Sequence, residues 1–238
     1  MLLALDTATD QASVAVGVPG NEPLEENVAG ARRHASALLP MIQNLLRRAG
    51  AGLDDVTGIV LSDGPGSFTG LRVGASVAKA LVHTRGLPLW VAPSLLVRAA
   101  GVAQGDGVVL ALASALRGEV YAGAYRFFED KVHTELIPSV RRPEELMRSP
   151  LKPSVVVGEA PSDILAALEH WVGRPVIGPP LGSPHAARLL QLVGRPGGAR
   201  RVELASEWEP VYGRPAEAQA RWEMAHGRPL SDSVGSRG

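Results

Sequence analysis

The sequence contains no cysteine in its 238 residues. Disulfide bonds, cysteine-ligated zinc, iron–sulfur clusters and thiol catalysis are therefore all excluded. An excess of one charge is also missing, because 24 basic residues balance 24 acidic ones. A protein that grips nucleic acid by itself usually has a basic surplus, so we expect any contact with nucleic acid to be indirect.

Long apolar runs are missing as well. None approaches the roughly 18 residues that a membrane span needs, and the opening residues MLLALD lack the basic flank and long apolar stretch of a signal peptide. We therefore predict a cytoplasmic protein that does not associate with membranes. The remaining composition, 45% apolar and 20% charged, is typical of a globular protein.

The order of predicted elements repeats along the chain. A hairpin, a third strand and an amphipathic helix are predicted first, at residues 2–18, 23–29 and 33–49. After the turn-forming residues 104–107, the sequence again predicts a hairpin, a third strand and then mixed helices and strands. We predict two α/β lobes of like plan and a partly mobile tail, at residues 1–104, 105–206 and 207–238.

A glycine-rich run, GPGSFTGLRVG at residues 64–74, follows a predicted strand and opens a predicted helix at 69–84. Its first three residues favour a turn, and Ser67 or Thr69 is a suitable helix cap. A glycine turn before a helix can also bind phosphate. The spacing fits neither the Walker loop nor the dinucleotide fingerprint, so a structural turn is favoured over a phosphate site.

Small residues recur every four positions in the predicted helix, at Gly70, Gly74 and Ala78. Because these residues have little or no side chain, they form a shallow groove along one face of the helix. Glycine inside a helix lowers the stability of the helix by up to about 1 kcal/mol relative to alanine, and close packing of another segment is the usual compensation. The segment expected there is the helix around residues 38–46 or another molecule, and the two contacts can also occur together.

Three stretches resemble a known family: residues 3–9, residues 33–42 and the glycine-rich run at 64–74. They are similar to the TsaB (YeaZ) family, the dimerisation subunit of the bacterial tRNA threonylcarbamoyladenosine machinery. Weaker similarity continues at residues 118–121 and 209–214. The resemblance covers about residues 2–214, and the glycine-rich run is its most specific part.

The resemblance implies a two-lobed actin-like/Hsp70-like ATPase (ASKHA) fold, with ribonuclease H-like lobes and a degenerate nucleotide site. It implies a homodimer when alone, and two partners, the catalytic paralogue TsaD and the ATPase TsaE. Contact with tRNA would then occur only through the complex. We expect a non-catalytic subunit that supports threonylcarbamoyl transfer to the adenosine beside the anticodon.

The resemblance also implies where partners bind. The two helices at residues 33–49 and 69–84 are expected to form the surface shared by homodimer and TsaD complex. Expected interface residues are Leu38, Leu39, Ile42, Leu45, Leu46, Gly70, Leu71, Gly74 and Ala78. A vestigial nucleotide site is expected at Asp6, Thr7, Gly64, Gly66 and Ser67.

Departures from the fold's nucleotide chemistry are visible in the sequence. The turn after Asp6 lacks glycine, and the Cβ of Ala8 hinders close approach of a phosphate. Where the family usually carries Asp-Ala-Arg, this chain has Ser-Ala-Leu at residues 114–116, so the second carboxylate is absent. We therefore expect no tightly bound cofactor, with ATP or ADP and Mg²⁺ binding only at the junction of the complex.

Metal and nucleophile motifs are absent from the sequence. The paralogue's His-x-x-x-His pair has no counterpart, because His34 is followed by Leu38 at that spacing, and no metal site is predicted. Ser67 lies in no Gly-x-Ser-x-Gly elbow. We also expect an Asp63–Arg72 ion pair near the loop, and a tail packed onto the body through Trp208 and Trp222.

Two other functions remain as alternatives. The first is a nucleotide-dependent transferase or ATPase that acts on its own, as Asp6 and the glycine turn allow. The second is a module that binds muropeptide or another protein and has no connection with tRNA.

Overall fold

The computed structural model of the protein describes residues 1–18, 21–30, 34–115 and 118–212. Five strands from the first half of the chain and one strand near residue 200 form a six-stranded mixed sheet in the order β10-β5-β4-β1-β2-β3. β1 pairs antiparallel with β2 and parallel with β4, and β4 pairs parallel with β5. The strands are β1 Leu2–Asp6, β2 Gln11–Gly17, β3 Leu24–Ala29, β4 Gly58–Ser62, β5 Leu89–Ala92 and β10 Arg200–Val202.

The second sheet repeats the plan of the first. Its strands are β6 Val108–Ser114, β7 Val120–Phe127, β8 Val132–Arg141 and β9 Pro153–Gly158, in the order β8-β7-β6-β9. This order corresponds to β3-β2-β1-β4, with the same directions. A parallel bridge from Val157 to Ile177 occupies the place of the β4–β5 pairing. The predicted similarity of the two lobes is confirmed.

Within the described residues, six α-helices cover the sheets: α1 His34–Arg48, α2 Phe68–Arg85, α3 Ser94–Val102, α4 Pro143–Arg148, α5 Ser162–Val172 and α6 Ala186–Leu192. Alternate side chains of each strand point to opposite faces, and each face carries its own apolar core. α1 and α2 cover one face of the first sheet, α3 and α6 lie between the two sheets, and α4 and α5 cover the far face of the second. The result is five alternating layers of helix and sheet.

The end of the described chain returns to the first sheet. β10 pairs antiparallel with β5, and α6 packs against β1 and β2. Both elements belong to the segment predicted as the second lobe, at residues 105–206. The division at residue 104 therefore stays a prediction, while the two sheets are a finding. No helix in the described part of the chain is long and apolar enough to cross a membrane.

Candidate functional site

The glycine loop between β4 and α2 is bonded to other parts of the chain. The N–H of Ser67 donates to the carbonyl of Ala8 at 2.7 Å, and the N–H of Ser94 donates to the carbonyl of Gly64 at 2.8 Å. The Ser67 hydroxyl accepts from the N–H of Gly70 at 3.2 Å, which confirms the predicted cap. Several polar groups of the loop are thus already used within the chain. The loop is a junction of three segments.

Two glycines of the loop are required by close backbone contacts. A Cβ at Gly66 would collide with the carbonyl of Ala8. A Cβ at Gly64 would collide with the carbonyl of Val211, and Gly64 also has a φ of +101°, which side-chain-bearing residues rarely adopt. The hairpin turn after β1 and the C-terminal segment therefore both rest on the loop backbone.

The small-residue face of α2 lies against its own lobe. A Cβ at Gly74 would collide with the hydroxyl of Thr7 and press on Leu61, and Ala78 is fully buried. The predicted groove is thus filled by the end of β1 and by β4. The contact at Gly74 is made within the chain, and its partner is the end of a strand and not the predicted helix around residues 38–46.

Asp6, the predicted carboxylate of the nucleotide site, is withdrawn from solvent. It is 0% exposed, and its Oδ1 accepts from the N–H of Ala8 at 3.0 Å. Its Oδ2, like the hydroxyls of Thr7 and Ser62, has no hydrogen-bond partner in the described part of the chain. Burial raises the pKa of Asp6. The neighbouring Ser62 hydroxyl, the N–H of Ala8 and, less strongly, the charges of Arg98 and His185 oppose that rise only in part. The side chain closes a turn and faces the interior.

A cleft of about 150 Å³ lies between the lobes, at the ends of β1 and β6. Gly66 and Ser67 line it, whereas Asp6, Thr7 and Gly64 do not. The predicted vestigial site is thus only partly brought together.

Arg98 of α3 spans this cleft from the first lobe to the second. Its guanidinium is 2% exposed, and it donates to the carbonyl of Leu112 at 2.9 Å and to Glu159 at 2.7 Å. A Cβ at Gly158 would collide with Leu112 and press on Arg98, which shows how tightly this corner is packed. Sequence reasoning missed Arg98. Its signal was a lone charge inside the apolar helix SLLVRAAGV.

These residues do not fit a magnesium-bound nucleotide. Asp6 is buried, Ser114 stands where the family's second carboxylate would be, and the turn at Ala8 is occupied by the glycine loop. Within the described residues, no group of three or more histidine, aspartate or glutamate side chains is placed to hold a metal ion. The arrangement offers a cross-link between lobes and no cradle for phosphates.

A serine, a glutamate and a histidine meet at the edge of β2 and β3, but not as a catalytic triad. The hydroxyl of Ser13 donates to Glu25 at 2.7 Å, and His185 contacts the same carboxylate at 3.1 Å. A nucleophile would have to face the imidazole. Ser13 is buried and also accepts from the N–H of Ala186 at 2.8 Å. The cluster anchors the start of α6 to the first sheet.

The structure places most of the predicted interface residues in the interior. Buried within the first lobe are Leu38, Ile42, Leu45, Leu46, Gly70, Leu71, Gly74 and Ala78. They form or border the core between α1, α2 and the first sheet. Leu39 alone of the nine is exposed, at 53%. The amphipathic pattern predicted the helices correctly, but its apolar side faces the sheet. The prediction that these eight residues form the interface surface is therefore corrected, because they are buried within the chain.

The predicted Asp63–Arg72 ion pair is wrong. Asp63 is buried and accepts from Arg200 of β10 at 3.0 Å, and burial raises its pKa against the pull of that arginine. Arg72 instead lies over the ring of Phe68.

The predicted packing of Trp208 onto the body is confirmed, since it is 8% exposed and belongs to the first-lobe core. Trp222, Leu116 and the tail beyond residue 212 lie outside the described residues.

Known proteins are similar to this chain along most of its length. A family model described as TsaD, tRNA N6-adenosine threonylcarbamoyltransferase, matches residues 23–168. The chain is 30% identical to the tRNA threonylcarbamoyladenosine biosynthesis protein TsaB of Haemophilus influenzae, over 89% of this chain and 92% of that protein. The chain belongs to the TsaB (YeaZ) family. The chain is also 36% identical to TsaB of Escherichia coli over 60% of this chain. That match covers 63% of the Escherichia coli protein, which is less than two thirds of its length.

Solved structures agree with membership of the TsaB family. YeaZ from Pseudomonas aeruginosa matches with a TM-score of 0.67 at 32% identity, over 81% of this chain and 90% of that one. A second Pseudomonas aeruginosa structure, described as an uncharacterized protein with similarity to peptidase YeaZ, matches with a TM-score of 0.72 at 31% identity, over 90% and 99%. This TsaB-family chain has the two-lobed actin-like (ASKHA) fold predicted from the resemblance.

Proposed function

We propose that this chain is a non-catalytic subunit in the threonylcarbamoyladenosine modification of tRNA, which binds and supports the catalytic paralogue TsaD. The relatives that carry the biosynthesis name support the pathway. The observation that carries the non-catalytic role is the inter-lobe cleft. Asp6 is buried and does not line this cleft, and Arg98 and Glu159 pair across the space that a nucleotide would need.

The surface that we assign to the partner is the outward side of α1 and α2. It consists of Leu39, Pro40 and Gln43 of α1 together with Val73, Ser76, Val77 and Ala80 of α2, and we call it the outer face. These side chains are exposed or half-buried, while the opposite sides of both helices pack on the sheet. The absence of charged residues from this set is typical of the core of an interface. The buried residues predicted earlier support this face from beneath.

A charge at the centre of the outer face tests this assignment. Leu39→Glu should weaken binding to TsaD at least about tenfold, because a carboxylate would be buried without a partner. Since Leu39 is 53% exposed, the fold should survive the change. Light scattering and calorimetry on the mixed subunits give the measurement. Ile137→Glu, at an exposed position of β8 in the other lobe, is the matched control and should bind as the wild type does.

Binding that is unchanged in Leu39→Glu, with an unaltered melting temperature, would remove the outer face from the proposal. A self-sufficient ATPase would instead bind ATP with Mg²⁺ more tightly than about 10 μM and lose that binding in Asp6→Ala. A protein-binding module unrelated to tRNA would leave the modification rate unchanged when the chain is omitted.

A further inference from the structure

Arg72, on the exposed side of α2, lies over the ring of Phe68 and beside the ring of Tyr212. Its guanidinium carbon lies 4.2 Å from the ring centre of Phe68 and 5.6 Å from that of Tyr212. The two rings are 4.8 Å apart and tilted by 47°. No carboxylate in the described ranges lies within ion-pair distance of Arg72. The result is a fixed, solvent-facing cation whose hydrogen-bond donors are directed by stacking.

The C-terminal segment at residues 208–212 builds half of this arrangement. The N–H of Val211 donates to the carbonyl of Asp63 at 2.7 Å, and the Tyr212 hydroxyl donates to Glu209 at 3.2 Å. Glu209 in turn pairs with Lys79 of α2 at 2.7 Å. Together with buried Trp208, these contacts lay the segment along α2, so Tyr212 reaches Arg72 in a defined position.

The charge of α1 and α2 is one-sided. Their 15 and 18 residues include no aspartate or glutamate, although the whole chain is balanced. Three of their cations already have acidic neighbours, because Arg48 lies near Glu26, Lys79 pairs with Glu209 and Arg85 pairs with Asp54. Arg47 donates to an amide oxygen. Arg72 is the cation of α2 that is fixed by rings alone, beside the outer face.

We propose that Arg72 receives a carboxylate from an acidic surface of the catalytic partner, and that residues 208–212 form part of the same interface. This inference rests on the proposed function and names the chemistry of its partner. A second copy of the chain would bring one acid-free helix pair against another, whereas an acidic partner matches this charge. Arginine and tyrosine are also, with tryptophan, the residue types enriched where the binding energy of an interface concentrates.

Nucleic acid fits this cluster less well. Binding an RNA backbone takes several free cations, and the neighbouring basic side chains of α2 are already paired. A flipped base would need an open aromatic face, but both rings lie against the guanidinium. A carboxylate needs only the free edge of one guanidinium, which can donate two parallel hydrogen bonds.

The test measures affinity for TsaD by calorimetry at several salt concentrations, with full-length chains. Arg72→Glu should weaken binding at least about tenfold and reduce its dependence on salt. Arg72→Lys should weaken it less, because the charge stays but the planar edge is lost. Tyr212→Ala should weaken binding and Tyr212→Phe should preserve it. Arg85→Glu, at the other end of α2, is the matched control and should bind normally.

Each contrary outcome has its own meaning, provided that thermal unfolding shows the variants to be folded. Wild type that fails to bind TsaD would contradict the proposed function and this inference together. Equal affinity of wild type and Arg72→Glu would overturn the inference alone. Arg72→Glu that disrupts only the homodimer would assign the cluster to a second copy. Loss confined to tRNA binding would assign it to nucleic acid.

Discussion

The carbonyl oxygen of Val211 occupies the place where a side chain on Gly64 would begin. Gly64, the first glycine of the glycine-rich run, therefore makes room for the C-terminal segment. Val211 lies 147 positions further along the chain. Gly66 and Gly74 receive the turn after β1 in the same manner. The run joins three distant parts of the first lobe, and its conformation depends on all of them.

We expect Gly64→Ala to lower the free energy of unfolding by about 3 kcal/mol, because it combines a positive φ with a backbone collision. Gly86→Ala is the control. That glycine has a φ of +63° and open space around its Cβ position, so only the conformational cost of about 1 kcal/mol remains. Denaturant unfolding of both variants checks the difference. Equal losses would show that Val211 does not press on Gly64.

Gly74→Ala should destabilise the chain, although alanine normally favours a helix by up to about 1 kcal/mol. The reason is the hydroxyl of Thr7, which lies where the new Cβ would be. Thr7→Ala should remove the obstacle, so Gly74→Ala should cost less in that background than in the wild type. A double-mutant cycle measured by thermal unfolding detects this coupling. Additive effects would place the two residues out of contact. Gly101→Ala, in open space on α3, should not destabilise.

Asp6→Asn should stabilise the protein at neutral pH. Burial raises the pKa of Asp6 above its ordinary 3.8, so its ionisation opposes folding increasingly as the pH rises beyond that value. Asparagine can accept from the N–H of Ala8 as before and carries no charge. The gain should shrink as the pH falls towards 3.8 and vanish below it, where the wild-type carboxyl is protonated in both the folded and the unfolded state. Stability that is lower in Asp6→Asn at pH 7 would show that the carboxylate is needed.

His185→Gln should cost about 1 kcal/mol at pH 5.5 and less at pH 8. Burial alone would raise the pKa of Glu25, but bonds from His185, Ala187 and Ser13 outweigh it and lower that pKa from 4.5 to about 2. The bond to Glu25 raises the pKa of His185 above 6.5. The lowered pKa of Glu25 therefore stabilises the folded protein above pH 4.5. The raised pKa of His185 stabilises it fully below pH 6.5, and this contribution is lost as the pH rises further. A cost that is constant over this range would contradict the ion pair.

Local pattern predicted most of the fold. Short apolar runs bounded by turn residues predicted most strands of both sheets, and the helical period predicted α1 and α2 close to their observed bounds. β10 was not predicted, because Arg200–Val202 has only three residues and two of them are arginines at a sheet edge. The repeated order of elements was sufficient to predict two lobes of like plan.

The site was predicted less well, because its contacts join residues far apart in sequence. Spacing at Gly70, Gly74 and Ala78 correctly indicated close approach, but it carries no information about which segment approaches. The apolar stripe of α1 looks the same whether it meets a sheet or a partner. Asp63 was assigned to Arg72, which is close to it in sequence, but its actual partner is Arg200, 137 residues away. Short-range rules cannot rank such pairings.

Reconstitution of tRNA threonylcarbamoylation from TsaD, TsaE and the carbamoyl-adenylate-forming enzyme tests the central claim most directly. Omitting this chain should abolish or strongly reduce the modification. Adding Asp6→Asn should restore the full wild-type rate, because no nucleotide chemistry is assigned to Asp6, whereas adding Leu39→Glu should not. An Asp6→Asn chain that folds and binds TsaD normally but fails to restore modification would contradict the account.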